Sequence, residues 1–279
     1  MNDEGAPRFR RLCDSFALHG VGLHSGQKCS VRVEPNEGEF LLASEGLELP
    51  LSRLALDGSG RGSDYIFPDG HRVRTCEHIL AAFVGLGIWG VRLTVEGPEM
   101  PALDGCAAQM TETLMQKSAP CTEGPAPFHL SSPFRVGDEN RFVAVFPSHH
   151  FSVTCIVSYD SPMIGTQMLS FTGGAQSFFE DIARARTFAM TSEIEALRAK
   201  GMALGGTLDN AILVGENEVQ ASGGLRYPDE FVRHKTLDLI GDMAAVGCPV
   251  CAHLVAMKAG HELHLHLAER LRALVRVPS

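Results

Sequence analysis

Positive charge is in short supply in this chain. Its 279 residues carry 24 Lys and Arg against 33 Asp and Glu, a formal net charge of −9. Unspecific binding to nucleic acid or to an anionic membrane needs clustered cations, so this balance excludes a general binder of either kind. An anionic small molecule stays compatible, because a few local cations can dominate one pocket. Long apolar runs are lacking too. The longest, Ile79 to Val91, has 13 residues and is punctuated by Gly85, Gly87 and Gly90. Spanning a bilayer takes roughly 18–20, so no transmembrane segment is expected. The opening MNDEGAPRFRRL has no apolar stretch, and no signal peptide is expected there. Eight cysteines in a chain of this length are too sparse for the disulfide framework of a small secreted domain. The expectation is a cytoplasmic protein with reduced thiols.

What is present is an ordinary globular composition, 44% hydrophobic and 20% charged, enough to bury a real core. The length predicts about two domains. Residues 28–34 and 91–96 alternate apolar and polar, the period of a strand with one buried face. Thr75 to Gly85 is predicted as a helix with Thr75 as its N-cap. The stretch 116–127 (QKSAPCTEGPAP) holds three prolines and no periodicity, which makes it the best linker. Beyond it come a hairpin around Gly137–Asn140 and a strand over 151–157. Helices are predicted over 192–200, stopped by Gly201, over 229–246, stopped by Gly247, and over 261–275, with a strand at 252–257. The pattern is two α+β domains, 1–119 and 128–279, joined at 120–127. No internal repeat is visible.

Three clusters could carry chemistry. His234 and Asp238 are four apart, so on a helix they share a face and can converge on one ion. Taken alone, such a pair is more often an ordinary helix-surface pair. In Thr75-Cys76-Glu77-His78, adjacent helical residues point about 100° apart, so the two could divide labour, His78 as a ligand and Glu77 as a base beside the metal. A carboxylate favoured by the helix dipole beside a plain histidine explains the same residues. In Gly260-His261-Glu-Leu-His264-Leu-His266, three histidines fall within six residues. His261 is the better catalytic candidate, and solvated helix-surface histidines are the plain alternative. Gly20 to Gly26 (GVGLHSG) precedes a strand and has Ser25 at the third glycine position, so it is no dinucleotide loop. Cys248-Pro-Val-Cys251 is a lone pair and reads as a tight turn between helix and strand.

Together the segments GVGLHSG (20–26), TCEHILAAFVGLGIWGVRLTVEGPEMPALDGCA (75–107), RARTFAM (184–190), GMALGGTLDNAIL (201–213), LRYPDEFVRHKTLDLIGD (225–242) and AGHELH (259–264) strongly resemble, in that order, the UDP-3-O-acyl-N-acetylglucosamine deacetylases, zinc amidases of lipid A biosynthesis in Gram-negative bacteria. The resemblance covers nearly the whole chain. It implies an α+β two-domain sandwich, each domain a mainly antiparallel sheet, with the helices packed between the two sheets. It implies one catalytic Zn2+ on His78, His234 and Asp238, Glu77 as general base, and His261 as the cation that stabilises the oxyanion and protonates the leaving amine. Asp242 would orient His261, and Thr187 would donate to the oxyanion. Lys235 would meet the substrate diphosphate and Phe188 would line the sugar–nucleotide cleft. Thr191, Ile194 and Leu197, on a helix from Met190 to Lys200, would with Ala211 form the acyl passage, although plain core packing explains their spacing too. The implied reaction is release of acetate from UDP-3-O-acyl-N-acetylglucosamine, the committed step of the pathway, by a monomer. A zinc amidohydrolase on another N-acyl sugar is one alternative. An inactive nucleotide-sugar-binding paralogue is another, and the intact Glu77, His78, His234, Asp238 and His261 argue against it. The chain departs from the family's usual pattern at 51–74, at Cys76 and Ala189, and at His264 and His266, where asparagine is usual.

Overall fold

The computed structural model describes residues 9–276. The stretch before Phe9, where no signal peptide is expected, and the last three residues lie outside them. Two sheets carry the architecture. The first orders strands Phe16–Val21, Lys28–Pro35, Val91–Glu96, Leu41–Ser44 and Leu47–Pro50. The second orders Phe134–Gly137, Phe142–Pro147, Val250–Met257, Ser152–Ser158 and Thr166–Phe171, with Phe128–His129 added beside Val250–Met257. Both are mainly antiparallel, and each has a parallel pairing at its centre, 41–44 with 91–96 and 152–158 with 250–257.

The helices are α1 (Glu77–Leu86), α2 (Ala108–Lys117), the single turn α3 (Ala175–Ser177), α4 (Ile194–Ala199), α5 (Glu230–Asp242) and α6 (His261–Val275). Helices α1, α2, α5 and α6 pack between the sheets, and α1 against α5 is the most extensive helix–helix contact among them. That contact depends on Gly241, where a Cβ would run into the backbone carbonyl of Glu77. Absence of a side chain there lets the start of α1 lie on the end of α5. On the other side of α1, the Phe83 ring meets Phe40 edge-on at 5.4 Å. The result is one contiguous core drawing on both sheets. The expected α+β sandwich is the one observed.

The two halves also repeat a topology that the sequence hides. Each runs hairpin, hairpin, small inserted sheet, helix, central strand, helix. The first insert is strands Ala55–Asp57, Asp64–Ile66 and Arg72–Val73, and the second is Phe188–Met190, Ile212–Val214 and Val219–Gln220 with α4 between its first two strands. Pairing directions match strand for strand in the two main sheets, while the residues do not. The inserts differ, since Ala55–Asp57 pairs antiparallel with Asp64–Ile66 whereas Phe188–Met190 pairs parallel with Ile212–Val214.

Several local expectations need correction. Thr75 is not an N-cap. Cys76 occupies that position, and Thr75 sits at φ 53, the left-handed region that a β-branched residue seldom adopts. Its hydroxyl donates to buried Glu99 at 2.9 Å, so a tertiary contact takes the group that would have capped the helix. The helix expected from Met190 or Ser192 begins only at Ile194, because Phe188–Met190 is a strand and Thr191–Glu193 a 3-10 turn. The helix over 229–246 finishes as a 3-10 turn, Met243–Val246, before Gly247. Residues 120 and 121, expected in the linker, belong to strand Ser118–Cys121, which pairs with Phe9–Leu12. Cys251 already lies in strand Val250–Met257, so the turn is confined to residues 247–249. All eight cysteines are free thiols.

Candidate active site

The N-terminus of α1 meets α5 along its middle and C-terminal turns, and their polar residues converge there. His234 and Asp238 share one face of α5, with His234 Nε2 3.3 Å from Asp238 Oδ1. Across the helix contact, His78 Nε2 lies 3.5 Å from the same oxygen. The His234 Nδ1–H donates to the carbonyl of Ala185 at 3.1 Å. That bond fixes the tautomer and leaves Nε2 with its lone pair facing inward, the arrangement of a ligating histidine. Asp238 Oδ1 is buried and has no hydrogen-bond partner. A buried acceptor costs free energy when left unpaired, and a cation facing two imidazole nitrogens would satisfy it.

Ligand atoms of His78, His234 and Asp238 all lie within 4.8 Å of one another. Among the described residues two further groupings lie as close together, Asp242–His261–His264 and Glu77–Asp238–His261. In the former, the histidine Nδ1–H groups are spent on Asp242 Oδ2, at 3.0 Å from His261 and 2.8 Å from His264. The latter offers one imidazole. Only the first trio combines two imidazoles with an orphaned carboxylate oxygen, a donor set suited to zinc.

Glu77 and His261 flank this trio. His261 Nε2 is 3.9 Å from Glu77 Oε1 and 3.5 Å from Asp238 Oδ2. Burial opposes charge on every group here, deciding the outcome at His234 and Glu77 and outweighed by the neighbours at His261 and Asp238. His234 is driven down to about 3 by burial, Asp238 offsetting it only in part while His78 and Lys235 add to the fall. It is therefore neutral. Burial is outweighed at His261, where Asp242, Glu77 and Asp238 lift the imidazole to about 9. Glu77 is raised by its burial, with His261 and His78 pulling the other way. Asp238 stays well below its usual value, because His234, Lys235 and His261 overcome the cost of burying it.

The trio opens into a cavity of about 360 Å³ lined also by Glu77, His261, Thr187, Phe188, Lys235, Ile194, Leu197 and Ala211. A larger cavity, near Trp89, Phe151 and Cys248, contains none of the candidate residues. Phe188 packs edge-on against Phe231 at 5.0 Å and His234 at 6.2 Å, placing a rigid ring beside the trio. Thr187 is pinned through its backbone, donating to the carbonyl of Gly105 and accepting from Ile212 N–H, each at 2.8 Å. Lys235, 19% exposed, donates to Asp238 Oδ2 at 2.7 Å. Thr191 is not brought to the cavity. Its hydroxyl donates to the carbonyl of Val214 at 2.8 Å, because the turn it occupies is not the helix that the three-residue spacing assumed.

Other residues in the site escaped the sequence. Arg61, His24 and Tyr159 line the cavity, and Arg61 bridges the two inserts through Glu193 at 2.8 Å. Buried Glu99 accepts the backbone N–H groups of His24 and Ser25 at 2.9 and 2.8 Å, which makes GVGLHSG a loop that brings His24 to the cavity wall. Ser63 is hydrogen-bonded to both Glu77 and Asp242. His264 is buried on Asp242, whereas His266 is exposed. Only His264 carried a signal, as one of three clustered histidines.

A family model described as LpxC, UDP-3-O-acyl N-acetylglycosamine deacetylase, matches residues 10–273. The chain belongs to this family. Among its relatives is a protein of Myxococcus xanthus named UDP-3-O-acyl-N-acetylglucosamine deacetylase, 36% identical over 277 residues, with 94% of this chain and 85% of the relative covered. Proteins of the same name from Acidithiobacillus ferrooxidans and Nostoc sp. are 36% and 35% identical, covering 96% and 94% of this chain and 90% and 98% of their own. The chain is thus a member of a deacetylase family, related over nearly all of its length. No helix among the described residues is long and apolar enough to cross a membrane.

Proposed function

We propose that this chain hydrolyses the 2-acetamido group of a UDP-3-O-acyl-N-acetylglucosamine, releasing acetate and a free amine, as the committed step of lipid A biosynthesis. The observation that carries this is Asp238 Oδ1, buried without a partner between the Nε2 atoms of His78 and His234 and flanked by Glu77 and His261. The three would hold one zinc ion, which when bound supplies a Lewis acid for the amide carbonyl and lowers the pKa of water. Glu77, ionised, takes the proton of the attacking water at Oε1. His261, charged and oriented by Asp242, faces the developing oxyanion and passes its Nε2 proton to the nitrogen as the C–N bond breaks. Thr187 donates its hydroxyl to the oxyanion.

For the rest of the substrate, Lys235 meets the diphosphate and Phe188 lines the sugar–nucleotide end. Ile194, Leu197 and Ala211 give the acyl chain an apolar wall. Thr191 supports that wall from outside through its bond to Val214. The reaction belongs in the cytoplasm of a Gram-negative cell, on a monomer whose two domains divide at residues 122–127, after strand Ser118–Cys121.

The test is a mass-spectrometric acetate-release assay on zinc-loaded protein with UDP-3-O-acyl-N-acetylglucosamine, together with metal analysis. The expected result is about one zinc per chain and turnover that disappears in His78→Ala, His234→Ala and Asp238→Ala along with the metal. Release from a different N-acetyl sugar alone would assign another amidohydrolase activity. Full zinc occupancy without the Asp238 carboxylate would overturn the ligand set.

A further inference from the structure

The first insert reaches into the site through a residue that neither α1 nor α5 supplies. Ser63 is 1% exposed, and all three of its polar groups are engaged with catalytic or helix-start groups. Its backbone N–H donates to Glu77 Oε2 at 2.8 Å, and its carbonyl accepts the N–H of Cys76 at 3.1 Å. Its hydroxyl is hydrogen-bonded to Asp242 Oδ1, and its Oγ lies 3.2 Å from His261 Nδ1.

Donor arithmetic fixes the direction of each bond. An ionised carboxylate only accepts, and a serine hydroxyl has one proton to give. That proton goes to Asp242 Oδ1, so Oγ must accept from His261 Nδ1–H. The other carboxylate oxygen, Oδ2, takes His261 Nδ1–H at 3.0 Å and His264 Nδ1–H at 2.8 Å. With Nδ1 carrying a hydrogen toward both Asp242 and Ser63, His261 presents Nε2 to Glu77 and Asp238. The neighbouring backbone is shaped for the same purpose. A Cβ on Gly62 would stand 2.9 Å from Glu77 Oε1, and one on Gly58 would press 2.6 Å from the Glu262 amide nitrogen just after His261.

We infer that Ser63 is a positioning residue that ties Glu77 to the Asp242–His261 pair, so that the proton acceptor and the proton donor of the reaction are held in one frame by the insert. Its kinetic part rests on the proposed deacetylation. Its geometric part does not, and the test separates the two.

Full-length Ser63→Ala, Ser63→Val and Ser63→Thr are compared in zinc-loaded form. Loss of the hydroxyl in Ala and Val should lower kcat by roughly 10- to 100-fold, the scale of one buried hydrogen bond to a charged group, with KM and bound zinc unchanged. Thr, which keeps the hydroxyl, should restore most of the rate. In a His261→Ala background, Ser63→Ala should cost little more, because groups acting through one another are not additive. Proton NMR supplies a readout that needs no substrate. The His261 Nδ1–H resonance, assigned by its loss in His261→Ala, should move in Ser63→Ala and Ser63→Val and persist in Ser63→Thr, with or without metal. Wild-type kcat in Ser63→Ala, full rate in Val, an equal loss in both backgrounds, or an unmoved resonance in Ala would each overturn the assignment. Wild-type protein that releases no acetate from any UDP-3-O-acyl-N-acetylglucosamine would sink the deacetylation proposal, and the NMR series would still decide the role of Ser63.

Discussion

At the scale of single residues, two buried groups of opposite charge are asked to act in opposite protonation states. In the proposed reaction Glu77 works only when ionised, and burial raises its pKa, so the rate should fall as pH drops through a value above the ordinary carboxylate range. His261 is proposed to act only when charged, and its neighbours hold it at about 9 against the pull of burial, so the rate should fall again as pH rises past that value. A kcat–pH profile should therefore be bell-shaped, each limb belonging to the coupled set of groups. Glu77→Gln should flatten the acid limb and His261→Ala the basic one, each at a cost of roughly 10²–10⁴ in kcat with zinc retained. A basic limb that survives in His261→Ala would give the proton-donor role to another group. His264 shares Asp242 and is the first alternative to test. The charged candidates of the site became legible through the ordered family motifs, because the spacings of Glu77–His78 and His234–Asp238 taken alone fit plain helix residues better. Ser63 was not legible, since its partner Asp242 is 179 positions away and its own segment follows no recognisable pattern. Nor could Thr75 be read, whose hydroxyl goes to Glu99 and not to the helix it precedes.

At the scale of elements, the site depends on how closely α1 approaches α5. Gly241→Val would place methyl groups against the Glu77 backbone. Overpacking of that kind costs about 1–3 kcal/mol, and here the strain falls between His78, a proposed ligand, and its proposed partners on α5. Thermal melts should show a lower midpoint and metal titration a weakened zinc affinity, while a Gly241→Ala protein should lie between the two. Unchanged metal affinity in the valine variant would mean that the helices can separate without disturbing the ligands. The second insert makes a different prediction. Leu197 is buried and lines the cavity with Ile194 and Ala211. Leu197→Phe should therefore raise KM sharply for long 3-O-acyl chains and little for a substrate lacking the chain, and equal losses on both would make the residue core. The strands at 28–35, 91–96, 152–158 and 250–257 and the helices α1 and α6 were legible from their periods to within about two residues, whereas α2 and the strands at 16–21, 41–44, 47–50 and 166–171 went unrecognised. The short α4 was not, because a three-residue spacing continues unbroken through a 3-10 turn and into the helix, and sequence alone does not mark where one becomes the other.

At the scale of the whole molecule, the same run of hairpins, insert, helix, strand and helix occurs twice, and no repeat shows in the residues because the two main sheets share pairing directions and not side chains. The family was legible from ordered motifs, while the symmetry needed coordinates. The first copy contributes Glu77, His78 and Ser63, and the second contributes His234, Asp238, Asp242 and His261, all resting on a core that runs without a break through both. Neither copy thus owns a working centre, and the chain has no way to fail in part. Heating should abolish turnover, release the metal and erase the circular-dichroism signal at a single midpoint. Removing zinc with a chelator should shift that midpoint down as one transition, since a ligand that binds only the native state stabilises all of it. A first transition that ended catalysis while leaving most of the circular dichroism intact would show that the copies melt independently. The expected single transition would make the activity of this protein a direct measure of how much of the chain is folded.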